Sequence, residues 1–428
     1  MKKRENKKQS KFKKFLNKIG PGFITGASDD DPSGIATYSQ TGAQFGYSQL
    51  WTSLFSFPFM ATIQEMCGRI GLVTGKGLAG VIKKHYSQKI LFFCVFLLII
   101  ANTINIGADL GAMASAGQLV FGIDFIYLLL GITALTLILE IFISYKTYAK
   151  ILKYLMISLL SYILVAFMVN QDWTTALLST IIPHFSFTKE YLLNIVAILG
   201  TTISPYLFFW QASEEVEEEV SKKELRTMGN GIPKFKFQDL KDLRLDTLLG
   251  MFFSNLVMFF IILATASTLG AYGITNIQTA DQAAQALHPL AGNFTYFLFA
   301  IGIIGVGLLA VPVLAGSASY ALSETFGFKE GLYRKFSKAH GFYGIIILAT
   351  IIGLVINFIS IPPFKMLYYT AIINGLCAPP LMIIILFISN NKKIMGNYTN
   401  RRLSNLLGII ITGIMSLSAL ALIISLLL

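Results

Sequence analysis

The stretch Ser28-Asp29-Asp30-Asp31-Pro32-Ser33-Gly34 decides how this chain is read, because it sets three acids and a proline inside an apolar segment running from about residue 20 to 42. A carboxylate at bilayer depth costs at least ~2.5–3.5 kcal/mol. A proline there frees backbone carbonyls that lipid cannot satisfy. Both are tolerated only where the break lines a wet, polar cavity. Acids beside freed carbonyl oxygens offer a hard cation the ligands it prefers.

The rest of the chain supports a membrane setting. Its 428 residues are 54% hydrophobic and 13% charged, about half the charge of an ordinary soluble domain. Eleven apolar stretches are long enough for the bilayer core: about 20–42, 48–70, 90–115, 120–143, 148–169, 191–213, 247–269, 294–320, 341–360, 366–389 and 404–427. The fold class expected is an all-α polytopic membrane protein. The net charge of +12 does not point to nucleic acid, because of where the charge lies. Threaded through these spans, all 34 lysines and arginines except Lys189 and Lys365 fall on one side. The positive-inside rule makes that side cytoplasmic, with the N-terminus inside and the C-terminus outside an inner (cell) membrane. No cleavable leader is expected, since the first apolar segment is a full span. Cys67, Cys94 and Cys377 lie in separate spans and read as lone buried thiols.

A single membrane domain, 20–428, is expected after a basic cytoplasmic tail, 1–19. In that domain, helices 1–5 occupy about 20–169, helices 6–10 about 191–389, and helix 11 about 404–427. The longest polar stretch, Glu214 to Asp246, opens with Glu214-Glu215-Val216-Glu217-Glu218-Glu219. These glutamates are expected as a solvated extension of helix 6, with a metal-attracting funnel at the cytoplasmic mouth as the sharper alternative. Helix 1 is interrupted at Pro32-Ser33-Gly34 and helix 6 at Gly200-Thr201-Thr202-Ile203-Ser204-Pro205. The breaks are an odd number of spans apart, so the two halves enter from opposite sides, as in an inverted five-plus-five repeat. Paired broken helices point to a transporter's central site.

At each break the last carbonyls of a half-helix carry partial negative charge. Asp31 adds a carboxylate, with Asp29 and Asp30 close behind. Thr201, Thr202 and Ser204 offer hydroxyls and carbonyls, and Tyr206 a phenol. Every ligand is oxygen, which suits Mg²⁺ with part of its water retained. A bland reading treats the helix-6 proline as a kink satisfied by its own hydroxyls. Asp109, with Asn102 and Asn105 on the same face of helix 3, reads as a pathway or proton-route residue or as a structural hydrogen bond. Asn374 in helix 10 is a second pathway candidate. Glu65, Gln64 and Arg69 read as a local salt bridge or gate. No histidine is placed for transport chemistry, and no nucleophile–base pair or cofactor motif suggests an enzyme.

At these residues a resemblance becomes specific. Gly20-Pro21-Gly22-Phe23, Asp31-Pro32-Ser33-Gly34-Ile35-Ala36-Thr37 and Gly42-Ala43-Gln44-Phe45-Gly46-Tyr47 resemble the first helix of the Nramp family of divalent-metal transporters. Gly71-Leu72-Val73-Thr74-Gly75-Lys76-Gly77-Leu78-Ala79 is similar to that family's loop after helix 2. The resemblance spans essentially the whole chain and implies a LeuT-like architecture of eleven helices, with helices 1 and 6 broken. The departures are informative. The family's Asp-Pro-Gly-Asn is here Asp31-Pro32-Ser33-Gly34, and its helix-6 Met-Pro-His is Ser204-Pro205-Tyr206. The soft thioether that favours transition metals is absent, as is the histidine of the family's proton pathway; a second helix-3 acid is replaced by Ile106. This combination resembles the Nramp-related magnesium transporters. The resemblance implies Asp31 as ligand, Thr201 as a carbonyl or hydroxyl ligand, and Gly34 and Ser204 as room for bound water. Asp30 and Tyr206 complete the expected metal set, with Asp29, Asp109 and Asn374 along the pathway.

The function expected is import of hydrated Mg²⁺, with Mn²⁺ as a second substrate, by alternating access and without proton coupling. The alternative is a proton-coupled Mn²⁺ or Fe²⁺ symporter. A sodium-coupled amino-acid symporter is disfavoured by the three acids, and a non-transporting metal sensor by the absence of any signalling domain. The expected partners are divalent ions and the bilayer, with no nucleic acid and no cofactor.

Overall fold

The computed structural model describes residues 20–143, 159–359 and 361–427. The basic tail 1–19 and the first part of the expected fifth span therefore lie outside the described residues. The main helices are α1 (Pro21–Asp29), α2 (Pro32–Phe45), α3 (Trp51–Thr74), α4 (Leu78–His85), α5 (Gln88–Phe121), α6 (Phe125–Phe142), α7 (Leu160–Met168) and α8 (Trp173–Ile181). They continue as α9 (Lys189–Thr202), α10 (Pro205–Ser221), α11 (Phe237–Thr265), α12 (Thr295–Phe326), α13 (His340–Ile356), α14 (Pro363–Asn390) and α15 (Arg402–Leu427). Seven helical stretches among the described residues are long and apolar enough to cross a bilayer alone. The first expected span is instead a pair of half-helices, and the ninth is the short apolar helix α13. Phe92, Phe93 and Phe96 on α5 and Leu417 and Leu420 on α15 face outward and are more than half exposed. Such apolar faces belong against lipid tails.

Both expected breaks are present and each is shorter than expected; the first is also shifted toward the N-terminus. The first falls at Asp30-Asp31, and Pro32-Ser33-Gly34 already forms the first turn of α2. The second is confined to Ile203-Ser204: Gly200, Thr201 and Thr202 remain helical in α9, and Pro205 starts α10. One rule explains both. The residue before a proline is driven out of the helical region, while the proline itself suits the first position of a new helix. Asp31 (φ −68, ψ 172) and Ser204 (φ −82, ψ 137) are accordingly extended N-caps.

Glycines hold the half-helices against their neighbours. A Cβ on Gly26 would come within 2.3 Å of the Gly250 carbonyl carbon on α11, and one on Gly200 within 2.0 Å of the Ala371 carbonyl oxygen on α14. Backbones this close leave no room for a methyl group, so Gly26→Ala and Gly200→Ala are expected to destabilise the fold by about 1–3 kcal/mol each. Thermal unfolding in detergent checks this; unchanged melting would mean the crossings open without cost.

The loop after α3 owes its glycines to the same economy of space. Gly75 ends α3 in the left-handed region (φ 64). The amides of Gly77 and Gly80 both donate to the Glu324 carboxylate on α12, at 2.6 and 2.7 Å. Glu65 pairs with Arg69 at 3.1 Å and with Arg244 at 2.9 Å, so the expected local salt bridge is a three-residue one that reaches α11. The glutamate run is helical, as expected, but it is not solvated. Glu214, Glu215, Glu217 and Glu219 are all buried, because α10 packs between α3 and α12 instead of leaving the body of the protein. On the opposite face, Gln40 of α2 binds the carbonyl of Thr275 and the amide of Ile277, tying the loop after α11 over the second half of the broken helix.

Candidate metal centre

The break between α1 and α2 makes Asp31 an N-cap, and this fixes its carboxylate. Oδ1 accepts from the Gly34 amide at 2.7 Å and the Ser33 hydroxyl at 2.6 Å. Oδ2 accepts from Asn105 Nδ2 at 2.9 Å and, at 3.5 Å, from the Tyr206 hydroxyl. The Tyr206 hydroxyl is held more tightly by the Ser28 carbonyl, at 2.9 Å. The positive end of α2 adds to these donors. Asp31 is therefore an anchored anion, 1% exposed, in a closed arrangement.

Across the gap stands the end of α9. Thr201 Oγ1 lies 3.4 Å from Ser33 Oγ, so the hydroxyl is the group of Thr201 that faces Asp31's loop. Its carbonyl, together with that of Gly200, is taken by the Ser204 hydroxyl at 2.8 and 2.7 Å. Gly34 leaves this gap open: a Cβ there would lie 3.3 Å from the Asp29 carbonyl oxygen and 3.4 Å from Thr201 Oγ1. The structure thus brings Asp31, Gly34, Thr201 and Tyr206 together, with Ser204 adjacent and serving the backbone.

Asp29 and Asp30 do not share that gap. They occupy the end of α1, where the helical turn points their side chains toward α11. There Ser254 Oγ lies 2.6 Å from Asp29 Oδ2 and 3.2 Å from Asp30 Oδ1. Asp30 was expected as a ligand beside Asp31; what the first half-helix adds to the gap is the Asp29 carbonyl instead. Both side chains are fully buried, and Asp29 Oδ1 and Asp30 Oδ2 have no hydrogen-bond partner.

Asp109 is one helical turn beyond Asn105 on α5, within electrostatic range of Asp31 and Tyr206, and neither of its oxygens has a partner. Asn374 is buried beside Gly375, where α14 crosses α9, with Nδ2 unpartnered. Asn102 serves a different purpose, bonding the Leu314 carbonyl and Ser317 on α12. Of the residues around the acids, Ser254 is the one the sequence does not mark, and Asn105 and Ser33 are hydrogen-bond partners of Asp31, a role not expected of them. Asn105 was visible as part of a polar face, whereas nothing around Ser254 in an apolar helix marks it.

Among the described residues, the polar groups facing the gap are one carboxylate, hydroxyls from Ser33, Thr201 and Tyr206, the Asn105 amide and backbone carbonyls, beside the ring of Tyr38. Among the described residues no three acids, histidines or cysteines converge on one point. A cation here meets a single formal charge and neutral dipoles, which leaves part of its coordination to water.

The sequence profile described as Nramp, "Natural resistance-associated macrophage protein-like", matches residues 22–425. The chain belongs to the Nramp family. Similar relatives of this Nramp chain include the divalent metal cation transporter MntH of Caldanaerobacter subterraneus subsp. tengcongensis, 26% identical over 413 residues, covering 94% of this chain and 91% of that one. The protein of the same description from Bacillus subtilis is 25% identical over 400 residues, 91% of this chain and 88% of that one. Among solved structures, a manganese transporter of Eremococcus coleocola superposes with a TM-score of 0.75 at 17% identity, over 99% of this chain and 88% of that chain. Mhp1, a nucleobase-cation-symport-1 family transporter in a closed conformation, gives 0.60 at 12% identity, over 94% and 91%. These likenesses show the fold: an all-α, multi-pass membrane protein of LeuT-like architecture.

Proposed function

We propose that this Nramp-family chain is a divalent metal cation transporter, not an enzyme, and that it imports Mg²⁺ with part of its hydration shell, and Mn²⁺ as a second substrate. The basic face is cytoplasmic in this reading, with the N-terminus inside. The observation that carries the metal preference is the chemistry of the gap: Asp31 faces the hydroxyl of Thr201 with no sulfur or imidazole between them. Ser204 and Tyr206 stand where the family resemblance places a thioether and an imidazole, and oxygen ligands suit hard cations. The relatives' descriptions as divalent metal cation transporters support the general activity. Asp31 acts as the charged ligand, Thr201 and Tyr206 as neutral ones, and Gly34 as the space that admits the ion's waters. The membrane potential drives entry, two charges gaining ~4.6 kcal/mol per 100 mV.

A second reading, proton-coupled Mn²⁺ or Fe²⁺ import, draws on Asp109, whose buried and unpartnered carboxylate could carry a proton. Proteoliposome uptake separates the two. Mg²⁺ and Mn²⁺ are expected to compete for entry while internal pH stays constant. Acidification in step with metal entry would overturn the uncoupled reading.

A further inference from the structure

On the basic face, away from Asp31, a cavity of about 190 Å³ opens between the first turn of α1, the end of α10 and the start of α11. Its walls carry Glu215, Glu219, Asp239 and Asp246, with Lys222 as the cation at its edge. The glutamates of α10 are not alike. Glu217 is committed to the Tyr320 hydroxyl and the Leu332 amide, and Glu215 Oε1 accepts from Gln211 at 2.9 Å. Lys222 is half exposed and pairs with Glu218 at 3.7 Å. Glu219 differs from all of these: it is 1% exposed, and neither of its carboxylate oxygens has a hydrogen-bond partner. Glu215, Glu224 and Asp239 all lie within electrostatic range of it, and against these three acids, among the described residues, stands Lys222 alone, which is also paired with Glu218. A buried anion among anions is costly unless something positive joins it.

We propose that this cavity is a second divalent-cation site, with Glu219 as its principal carboxylate. The volume admits about six waters at about 30 Å³ each, so the ion enters hydrated. No three acids converge on one point among the described residues, so in this site the carboxylates reach the ion through its waters. The site is independent of the one at Asp31.

Counting Mn²⁺ bound to the purified full-length protein, by the electron paramagnetic resonance signal of the free ion, tests this. Wild type is expected to bind two ions, Glu219→Gln one, Asp31→Asn one and the double variant none. Glu219 has no hydrogen bond to lose, so Glu219→Gln should melt normally. If it does not, Glu215→Gln on the same wall is expected to weaken the same step about tenfold. Two ions on folded Glu219→Gln, or one on wild type, would overturn the proposal. Loss of both ions in Asp31→Asn alone would overturn the independence of the two sites.

Discussion

Asp31→Asn is expected to abolish metal uptake while the protein still folds. Asparagine is as good an N-cap as aspartate, so the Gly34 amide and the Ser33 hydroxyl keep their acceptor. The nitrogen it introduces would face Asn105 Nδ2, but the Asn105 Oδ1 atom is buried without a partner. A flip of that amide restores the pair. What is lost is the one formal charge that faces the gap among the described residues. At an effective dielectric of about 20, a unit charge about 4 Å from a dication contributes on the order of 8 kcal/mol before desolvation. Even a third of that surplus weakens binding by about 100-fold. Asp31→Ala is expected to lose uptake equally and also to unfold more readily by about 0.5–2 kcal/mol, because the cap goes too. Metal uptake and thermal melting on the pair separate charge from cap. Retained flux in a folded Asp31→Asn protein would remove Asp31 from the site.

The second large effect concerns space. A methyl group at Gly34 would rest 3.3–3.4 Å from the Asp29 carbonyl oxygen, Thr201 Oγ1 and Tyr38 Cε2, tight but tolerable with small shifts. A valine's two further carbons would occupy the gap itself. Gly34→Ala is therefore expected to reduce uptake in part and Gly34→Val to reduce it to background. The overpacking costs about 1–3 kcal/mol of stability. The loss should be steeper for Mg²⁺ than for Mn²⁺, because Mg²⁺ gives up its waters more reluctantly. Uptake by Gly34→Val at the wild-type rate would show that the ion does not pass this point.

Much of this was legible in the sequence because proline acts locally. Asp31-Pro32 and Ser204-Pro205 announce two helix ends and two helix starts without any tertiary information. The same rule, applied strictly, puts the first break ahead of Pro32-Ser33-Gly34 and narrows the second to the two residues before Pro205, since Pro32 and Pro205 open helices. Asp31 was readable as the central carboxylate. Asp29 and Asp30 were not assignable, because which way a side chain leaves the last turn of α1 depends on where α11 packs. The burial of Glu214, Glu215, Glu217 and Glu219 was hidden for a similar reason: five acids in one helical run read as solvated until the neighbouring helices are in place. Asn105 illustrates the middle case, visible as polar but not as a partner of Asp31.

The central claim is that a dication rests between Asp31 and Thr201, held by oxygen alone. Anomalous diffraction from crystals of the full-length protein soaked in Mn²⁺ tests it most directly. The account predicts a peak between the Asp31 carboxylate and the Thr201 hydroxyl, with water completing its coordination and no sulfur or nitrogen ligand. A peak bound to a cysteine or histidine, or none in that gap while Mn²⁺ is transported, would contradict it.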